Sequence, residues 1–207
     1  MDVSPLTLNR ISVYLRCLRR LHEDGVSRIS SQQLANKFHL SATQIRKDLT
    51  QLGGSGIRGV GYEVEPLIRR LTGALGLDQK HSLAVVGMGA MGSAFTRHIG
   101  FNQGSFQVAA GFDHDAAKIG QKVGDIVVKP TSAIGVVIPQ LDIKIGIIAV
   151  PREAAQDLAD RLVAAGTRSI LNFAPVRLES SNGVHIRNVD VRIYLEELVF
   201  YLGADER

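Results

Sequence analysis

Apolar residues at the start of the chain recur at three- and four-residue spacing, which is typical of a helix with one buried face. This spacing predicts a first helix over residues 8–23. Its buried stripe consists of Ile11, Tyr14, Leu15, Leu18 and Leu21. Gly25 is expected to end the helix, because glycine favours the left-handed conformation that often follows a helix C-terminus.

Two shorter helices are predicted to follow, each opened by a serine that has a glutamine three residues later. Ser30 with Gln33, and Ser41 with Gln44, match the capping box, in which each side chain bonds the backbone N–H of the other residue. The third helix buries one face and exposes the other, with Ile45, Leu49 and Leu52 inward and Thr43, Gln44, Arg46 and Lys47 outward. Three helices in this order predict a helix-turn-helix whose last helix begins with polar and basic residues.

A glycine-rich segment and one further helix complete this part of the chain. Residues 53–62 contain five glycines and one basic residue, Arg58, which favours a flexible hairpin or wing over a helix. After Pro66, leucines at 67, 71 and 75 predict an amphipathic helix that links to a second domain. The pattern therefore predicts a winged helix-turn-helix domain over residues 1–78.

From Ser82 onward the pattern changes to short β-branched runs that alternate with helical stretches. The predicted strands cover residues 83–86, 107–112, 126–128, 143–150, 169–173 and 184–189, and the clearest helix covers residues 152–165. Such alternation is typical of an α/β fold with a parallel sheet. We therefore expect a doubly wound parallel sheet over residues 79–190. A last helix within residues 191–207 has an apolar side that packs on its own sheet or on a partner subunit.

Size and composition agree with a packed protein of one large or two small domains. The chain has 207 residues, of which 45% are hydrophobic and 21% charged, unlike a disordered chain. Its single cysteine, Cys17, is expected to be buried, and no Cys/His cluster has the spacing of zinc ligands. The N-terminus lacks a signal sequence, and no apolar run approaches the roughly 20 residues that span a bilayer. We therefore expect a cytoplasmic protein without a metal site or a membrane span.

The positive charge is concentrated in the first third of the chain. Residues 1–78 hold 11 Lys and Arg against 7 Asp and Glu, whereas the remaining residues hold 13 of each sign. This excess indicates either a surface that binds a polyanion or a basic solvated face.

A glycine loop carries the clearest chemical signal in the second domain. Gly87, Gly89 and Gly92 follow the strand predicted at 83–86 and precede a helical stretch. In this context the first glycine allows a tight turn, the second lets the backbone approach a pyrophosphate, and the third permits close packing of helix and strand. Asp113 ends the next strand, 21 residues later, close to the spacing of an acid that bonds the adenosine ribose. Because an acid at this position disfavours a 2′-phosphate, the segment predicts an NAD(H) site rather than an NADP(H) site. The alternative is that the glycines only form an ordinary turn between strand and helix.

No convincing catalytic set accompanies this nucleotide site. None of the four tyrosines has a lysine four residues later, as a short-chain dehydrogenase requires, and the six histidines show neither metal spacing nor an obvious carboxylate partner. A nucleotide site combined with a DNA-binding domain favours a sensor.

With these motifs the chain resembles the Rex family of bacterial redox-sensing transcriptional repressors, over residues 10–202. The matching segments are residues 30–31, QIRKDL at 44–49, RGVGY at 58–62, the glycine loop at 85–92, residues 112–113, 150–151 and 154–156, LNFAPV at 171–176, and NVD at 188–190. The resemblance implies a homodimer with an N-terminal winged helix, a Rossmann domain and a C-terminal helix swapped between subunits. It also implies binding to an inverted-repeat operator in double-stranded DNA and release by NADH, with NAD⁺ favouring the DNA-bound form.

The resemblance also implies roles for individual residues. The operator is expected to lie near Ser30, Ser31, Ser41, Gln44, Arg46 and Lys47, with Arg58 as the contact from the wing. The nucleotide is expected to contact Gly87, Met88, Gly89, Ala90, Met91, Gly92, Asp113, Val150 and Pro151, and its nicotinamide half Phe173, Ala174, Pro175 and His98. Arg16 and Asp190 are expected to form a switch pair, although an ordinary surface salt bridge is the alternative.

The chain departs from the usual family pattern in three places. Residues 51–58 lack the aromatic pair and one cation of the usual wing, His98 stands where the family has a tyrosine, and the glycine loop carries Met88, Ala90 and Met91. Two other functions therefore stay open beside a redox-sensing repressor. One is a small NAD-dependent oxidoreductase, and the other is a DNA-binding regulator whose Rossmann domain is structural or responds to another nucleotide.

Overall fold

The computed structural model describes residues 3–54, 56–57, 59–97, 104–179 and 183–204. The chain folds into two compact units, residues 1–79 and residues 80–207. Arg58 and His98 lie outside the described residues. None of the described helices is both long and apolar enough to cross a membrane.

The described residues of the N-terminal unit form four helices and a short two-stranded sheet. Its elements are α1 (Pro5–Glu23), β1 (Arg28–Ile29), α2 (Ser31–Phe38), α3 (Ala42–Gln51), β2 (Tyr62–Glu63) and α4 (Val64–Ala74). Helix α1 begins three residues before the predicted start. The reason is that the Ser4 Oγ accepts the Thr7 N–H at 3.2 Å and Pro5 occupies the first helical position, where its missing N–H costs nothing.

The two predicted capping boxes differ in the structure. At α2 both halves form, because Ser30 Oγ accepts the Gln33 N–H at 3.1 Å and Gln33 Oε1 accepts the Ser30 N–H at 2.9 Å. At α3 the Ser41 hydroxyl accepts the Gln44 N–H at 3.3 Å. The reciprocal half predicted there, in which Gln44 Oε1 would accept the Ser41 N–H, is wrong. The Gln44 side chain instead turns toward Asp48 and donates its Nε2 to that carboxylate at 2.7 Å, a charge-assisted hydrogen bond.

The segment between α3 and α4 forms a small wing. Strands β1 and β2 pair antiparallel, with Arg28 opposite Glu63 and Ile29 opposite Tyr62. Before β2, Ile57 and Gly61 exchange two backbone hydrogen bonds of 2.9 Å and close a tight turn. The described residues on either side of the turn therefore form the predicted hairpin, and Arg58 is not among the described residues.

The core of the N-terminal unit is built from the predicted stripes. Ile11, Leu18, Leu34, Ile45, Leu49 and Leu71 are all fully buried in one cluster. Cys17 lies in the same cluster, and burial raises the pKa of its thiol. The prediction of a buried cysteine is confirmed.

The C-terminal unit is an α/β fold. Its strands are β3 (His81–Val86), β4 (Phe106–Asp113), β5 (Lys122–Val123), β6 (Ile126–Pro130), β7 (Ile145–Ile148), β8 (Ser169–Asn172) and β9 (His185–Asn188). Its helices are α5 (Ala90–Arg97), α6 (Ile134–Gln140, after a 3₁₀ turn at Thr131–Ala133), α7 (Arg152–Ala164) and α8 (Val191–Ala204). All six predicted strands are present, whereas β5 and α6 were not predicted.

The seven strands form one sheet in the order β5-β6-β4-β3-β7-β8-β9. All neighbouring pairs are parallel except β5 with β6. The chain runs outward from β3 through β4 to β6, then returns to the other side of β3 and continues from β7 to β9. This is the doubly wound order of dinucleotide-binding folds, in which ligands bind at the carboxyl ends of the strands where the order reverses, here between β3 and β7.

Alternate residues of the central strand face opposite sides of the sheet. Ala84 and Val86 pack with α6 and α7 residues such as Ile138 and Leu162, while Leu83 and Val85 join the cluster on the other face. Helix α8 differs from these buried elements, because its large apolar side chains are exposed by 54–72%: Val191, Ile193, Tyr194, Leu195, Leu198, Val199, Phe200, Tyr201 and Leu202. Its apolar side therefore does not pack on the sheet of its own chain.

Candidate functional site

The glycine loop begins where the ends of three strands meet. Gly87 follows β3, has a φ of 93°, and donates its N–H to the Phe112 carbonyl at 2.8 Å. A Cβ at Gly87 would lie 2.3 Å from the carbonyl oxygen of Ala149, which follows β7. A side chain is therefore excluded at this turn both by the backbone angle and by the neighbouring strand.

The other two glycines have opposite surroundings. A Cβ at Gly92 would lie 2.0 Å from the Gly87 carbonyl oxygen, so this glycine lets α5 pack closely on the loop. A Cβ at Gly89 would meet nothing within 4 Å. Gly89 thus faces open space at the first turn of α5, where free N–H groups can bind a phosphate that approaches the backbone.

Asp113 anchors this loop from the end of β4. Its carboxylate is buried, and Oδ2 accepts the Met88 N–H at 2.8 Å and the Lys118 ammonium at 3.0 Å, while Oδ1 accepts the Asp115 N–H at 2.9 Å. Burial acts to raise the pKa of Asp113, but these hydrogen bonds together lower it. The carboxylate is therefore ionised and holds the loop at Met88, a contact that the sequence spacing did not predict.

A cavity of about 350 Å³ opens beside the loop. Gly87 and Asp113 form one wall, and Val150 and Pro151, which follow β7, line the cavity with residues of α7. The cavity lies at the reversal of strand order, the place where doubly wound folds bind a dinucleotide. The structure brings these predicted nucleotide residues together.

A second loop, residues 173–176 after β8, is held by a buried asparagine. Asn172 Oδ1 accepts the Ala174 N–H at 2.9 Å, and Asn172 Nδ2 donates to the Val176 carbonyl at 2.7 Å and to Asn188 Oδ1 at 2.8 Å. The Phe173 ring packs against Phe95 of α5, with centroids 4.9 Å apart. The position of Asn172 directly before the Phe-Ala-Pro segment was the available signal for this anchoring role.

The predicted DNA-binding residues lie at the start of α2 and on α3. The Arg46 guanidinium donates to Ser31 Oγ at 2.9 Å and to Thr43 Oγ1 at 3.1 Å, which joins the two helices. Arg46 and Lys47 are exposed, as predicted, and Gln44 is half-buried. Ser30 and Ser41 accept the N-cap bonds described above. The helix-turn-helix thus presents a polar and basic surface.

A buried carboxylate beneath this surface was not predicted. Asp48 lies between α3 and α1, and Arg10 contacts it through Nε at 2.7 Å and Nη2 at 2.9 Å. The Tyr14 hydroxyl donates to the same carboxylate at 2.9 Å. Hydrogen bonds, chiefly from Arg10, lower the pKa of Asp48, while burial raises the pKa of Tyr14 to about 12. The spacing of Asp48 from Ile45 placed it on the inward face of α3, and this was the signal for its burial.

The two residues of the expected switch pair lie in different units, so the structure of each unit alone does not test their contact. Arg16 is exposed on α1 of the N-terminal unit, and Asp190, also exposed, accepts the Arg192 N–H at 2.9 Å before α8. The switch pair stays a prediction. Among the described residues, no three His, Cys, Asp or Glu side chains form a group that could hold a metal ion.

Comparison with known proteins relates this geometry to a family. Residues 2–50 match the family model described as "Putative DNA-binding protein N-terminus", and residues 78–176 match "CoA binding domain". A redox-sensing transcriptional repressor Rex from Desulforamulus reducens is 41% identical over 207 residues, covering 100% of this chain and 99% of the relative. The Rex protein of Chloroflexus aurantiacus is 40% identical over 206 residues, covering 99% of this chain and 97% of the relative. The chain belongs to the Rex family.

Solved structures of a Rex-family repressor called RSP support the same assignment. One RSP structure has a TM-score of 0.91 at 34% identity and covers 100% of this chain and 96% of its own. RSP has also been solved in complex with β-NAD⁺ and operator DNA, with a TM-score of 0.94 at 35% identity, covering 100% of this chain and 95% of RSP. A complex of RSP with β-NADH has a TM-score of 0.90 at 34% identity, covering 100% of this chain and 97% of RSP. The predicted family and the predicted α/β fold class of the Rex chain are confirmed.

Proposed function

We propose that this Rex-family chain is a transcriptional repressor that binds an inverted-repeat operator as a homodimer and is released from it by NADH. The observation that carries this proposal is the full-length similarity to RSP, which has been solved both with operator DNA and β-NAD⁺ and with β-NADH. The chain carries surfaces suited to both ligands. A basic helix-turn-helix lies in one unit and a glycine loop in the other.

The operator contacts are assigned to the exposed surface of α2 and α3. Arg46 and Lys47 neutralise phosphates or bond guanine edges, since they are exposed and positively charged. Ser30, Ser41 and Gln44 lie at or near the N-termini of α2 and α3 and are assigned to the same contact. Ser31 is buried and accepts a hydrogen bond from Arg46, so it is assigned a role in holding that arginine. Arg58 is assigned to the contact from the wing. The charge excess of residues 1–78 favours DNA as the polyanion.

The nucleotide contacts are assigned to the carboxyl end of the sheet. Residues 87–92 with Asp113 suit the adenosine diphosphate half of NAD(H), because Gly89 leaves its backbone open to a phosphate. Val150 and Pro151 line the adjoining cavity. We assign residues 173–175 and His98 to the nicotinamide half. The matched CoA-binding model covers the same loop, and coenzyme A shares the adenosine diphosphate, so the nicotinamide must be tested separately.

The homodimer is assigned to α8. Its large apolar side chains are exposed in the single chain, and covering such a patch with a second subunit is favourable. NADH can release the operator only if it binds one arrangement of the subunits better than the other. In this proposal Arg16 and Asp190 form a contact in one of the two arrangements.

We infer further that the protein acts in the cytoplasm as a sensor and not as an enzyme. The relatives are named as repressors, and no tyrosine has the lysine partner that carbonyl reduction by a short-chain dehydrogenase would require. Steady consumption of NADH with a carbonyl or alcohol substrate would instead favour the oxidoreductase.

The test uses the purified full-length protein and a duplex that it selects in vitro from a random pool. Fluorescence anisotropy at fixed salt is measured while NADH, NAD⁺ and coenzyme A are titrated separately, because phosphate contacts make DNA affinity salt-dependent. We expect release by NADH alone. Arg46→Ala should lose operator affinity and lower the salt slope by about one, while keeping its affinity for NADH. DNA binding that ignores both redox forms would favour a regulator whose Rossmann domain is structural.

A further inference from the structure

The side chain of Gln44 is held in one orientation on the DNA-facing helix. Gln44 lies in the first turn of α3, the part of a recognition helix that contacts base edges in helix-turn-helix proteins. Its Nε2 donates to Asp48 Oδ1 at 2.7 Å. The amide is therefore anchored to a buried carboxylate one turn further along α3, while the side chain remains partly exposed.

The chemistry of Asp48 fixes which end of the amide points outward. The carboxylate accepts four hydrogen bonds, two from Arg10, one from Tyr14 and one from Gln44. An ionised carboxylate has about four acceptor positions and no proton to donate, so it can bind the NH₂ of Gln44 but not its carbonyl. Bonds from Arg10 and its neighbours lower the pKa of Asp48 and keep it ionised. The oxygen of the amide must therefore face away from Asp48.

A count of the remaining hydrogen-bonding groups defines what Gln44 can read. The amide nitrogen has two N–H groups, of which Asp48 takes one, and Oε1 keeps its lone pairs. The same amide group therefore keeps one free donor and one free acceptor, which lie side by side when Asp48 binds the N–H that is trans to Oε1. In the major groove, adenine presents one acceptor, N7, beside one donor, the N6 amino group.

We propose, on the basis of the operator binding proposed above, that Gln44 reads an adenine in the major groove and that Asp48 is the residue that positions it. Guanine presents two acceptors, so Oε1 would face one of them without a proton between the two atoms. Cytosine and thymine each offer a single group and can form only one of the two bonds. The anchored amide therefore selects adenine among the four bases.

This role differs from the roles of the neighbouring cations. Arg46 and Lys47 carry charge, and phosphate contacts change affinity for all sequences and its dependence on salt. Gln44 is neutral, so it changes the preference at one base pair and leaves the salt dependence unchanged. The two kinds of contact can be separated by experiment.

The experiment uses the duplex selected from a random pool by the full-length wild-type protein. Each base pair of one half-site is replaced in turn, and each adenine is replaced separately by 7-deaza-adenine, which lacks only the N7 acceptor. For the wild-type protein, one adenine position should lose about 5- to 100-fold in affinity on base-pair replacement. The 7-deaza substitution at the same position should also weaken binding.

The Gln44→Ala variant identifies the position that Gln44 reads. In this variant the preference at that adenine should fall to within about twofold, while the other positions and the salt slope keep their wild-type values. The proposal would be overturned if Gln44→Ala kept the wild-type preference at every adenine, or if it lost the preference for a different base. A lower salt slope of DNA binding in this variant would also overturn it. A wild-type protein that selects no sequence would overturn the proposed function itself, and with it this base contact.

The positioning role of Asp48 needs a matched pair of variants. Asp48→Asn replaces a group that only accepts with an amide that can either accept from or donate to Gln44, so the orientation of Gln44 is no longer fixed. Tyr14→Phe removes a different bond from the same carboxylate. At a temperature where both variants are folded, only Asp48→Asn should lose the preference for adenine at the Gln44 position. Equal preference in both variants would show that Asp48 has only a structural role.

Should Asp48→Asn fail to fold, the 7-deaza comparison in Tyr14→Phe and Gln44→Ala still decides the adenine contact. If the 7-deaza substitution weakens DNA binding by Tyr14→Phe but not by Gln44→Ala, the adenine contact of Gln44 is supported. Sensitivity that persists in Gln44→Ala assigns the contact to another side chain and overturns the proposal.

Discussion

At the scale of single residues, the pair formed by Arg10 and Asp48 is unequal in its access to water. The Asp48 side chain is 2% exposed and the Arg10 side chain is 32% exposed. Arg10 can therefore reach solvent if its partner is lost, but Asp48 cannot. Loss of the arginine leaves an uncompensated buried carboxylate, which is among the more costly single defects in a folded protein.

We expect Arg10→Met to destabilise the N-terminal unit by about 2–4 kcal/mol, because the methionine keeps the apolar stem but leaves Asp48 without its cation. The control is Asp24→Asn, which breaks the exposed pair of Asp24 with Lys37 and should change stability by less than about 0.5 kcal/mol. Urea unfolding at pH 7 measures both values. Equal losses of unfolding free energy in the two variants would contradict the claim that burial of Asp48 makes its ion pair the more important one for stability.

The same pair predicts a pH dependence with a defined sign. The folded pKa of Asp48 lies below its ordinary value of 3.8, so its stabilising contribution is fully present above pH 3.8 and is lost as the pH falls through the lowered pKa. In Arg10→Met the chief cause of that low pKa is gone. The difference in unfolding free energy between wild type and variant should therefore shrink below pH 3.8, as urea titrations from pH 7 to about pH 3 can measure. A difference that is constant over this range would contradict the assignment.

At the scale of elements, two glycines of the same sequence motif have different roles in the glycine loop, one in packing and one in ligand binding. Gly92 is required for packing, because α5 lies against the loop, whereas Gly89 borders open space and is available to a ligand. One position therefore bears on the fold and the other on binding. The distinction depends on distances that the spacing of glycines alone does not give.

Alanine substitutions test this division of roles. Gly92→Ala should destabilise the C-terminal unit by roughly 1–3 kcal/mol, since its Cβ would meet the Gly87 carbonyl oxygen. Gly89→Ala should leave stability within about 0.5 kcal/mol of wild type but weaken NADH binding at least about tenfold, since its Cβ would occupy the approach of the pyrophosphate.

Calorimetric titration with NADH and thermal unfolding measure these effects. Gly135→Ala on α6 is the control, because a Cβ there meets nothing within 4 Å and lies far along the chain from the loop. It should bind NADH like wild type. A Gly89→Ala variant with wild-type affinity would show that the nucleotide does not approach this part of the backbone.

Most elements of both units could be predicted from periodicity, and the exceptions have physical reasons. Helix α6 is short and rich in β-branched residues, so its local preference favours a strand, and only the burial of Ile134, Val137 and Ile138 on one side makes it a helix. Strand β5 has two residues, too few for a pattern. The buried hydrogen-bonding roles of Asp48 and Asn172 were missed because some of their partners, Arg10 and Tyr14 for Asp48 and Asn188 for Asn172, are distant in sequence.

At the scale of the whole molecule, α8 is the helix whose large apolar side chains a single chain leaves exposed. Its exposed large apolar side chains occupy several sides of the helix, from Val191 to Leu202. Each such side chain gains roughly 1.5–3 kcal/mol on full burial, so a monomer that leaves them in water is strongly disfavoured relative to a dimer that covers them. A dimer also provides the two recognition helices that an inverted-repeat operator requires.

A charged residue in α8 tests this link between dimerisation and DNA binding. Leu198→Glu places a carboxylate among the side chains that the second subunit would cover, so we expect a monomer at micromolar concentration in analytical ultracentrifugation. Glu197→Gln, an exposed polar change one residue earlier, should remain a dimer. The monomer can bind only one half-site at a time, and its affinity for the selected operator should fall by at least about 100-fold, because the second half-site no longer binds as part of the same complex. A Leu198→Glu variant that stays dimeric and binds the operator normally would place the dimer interface elsewhere than on α8.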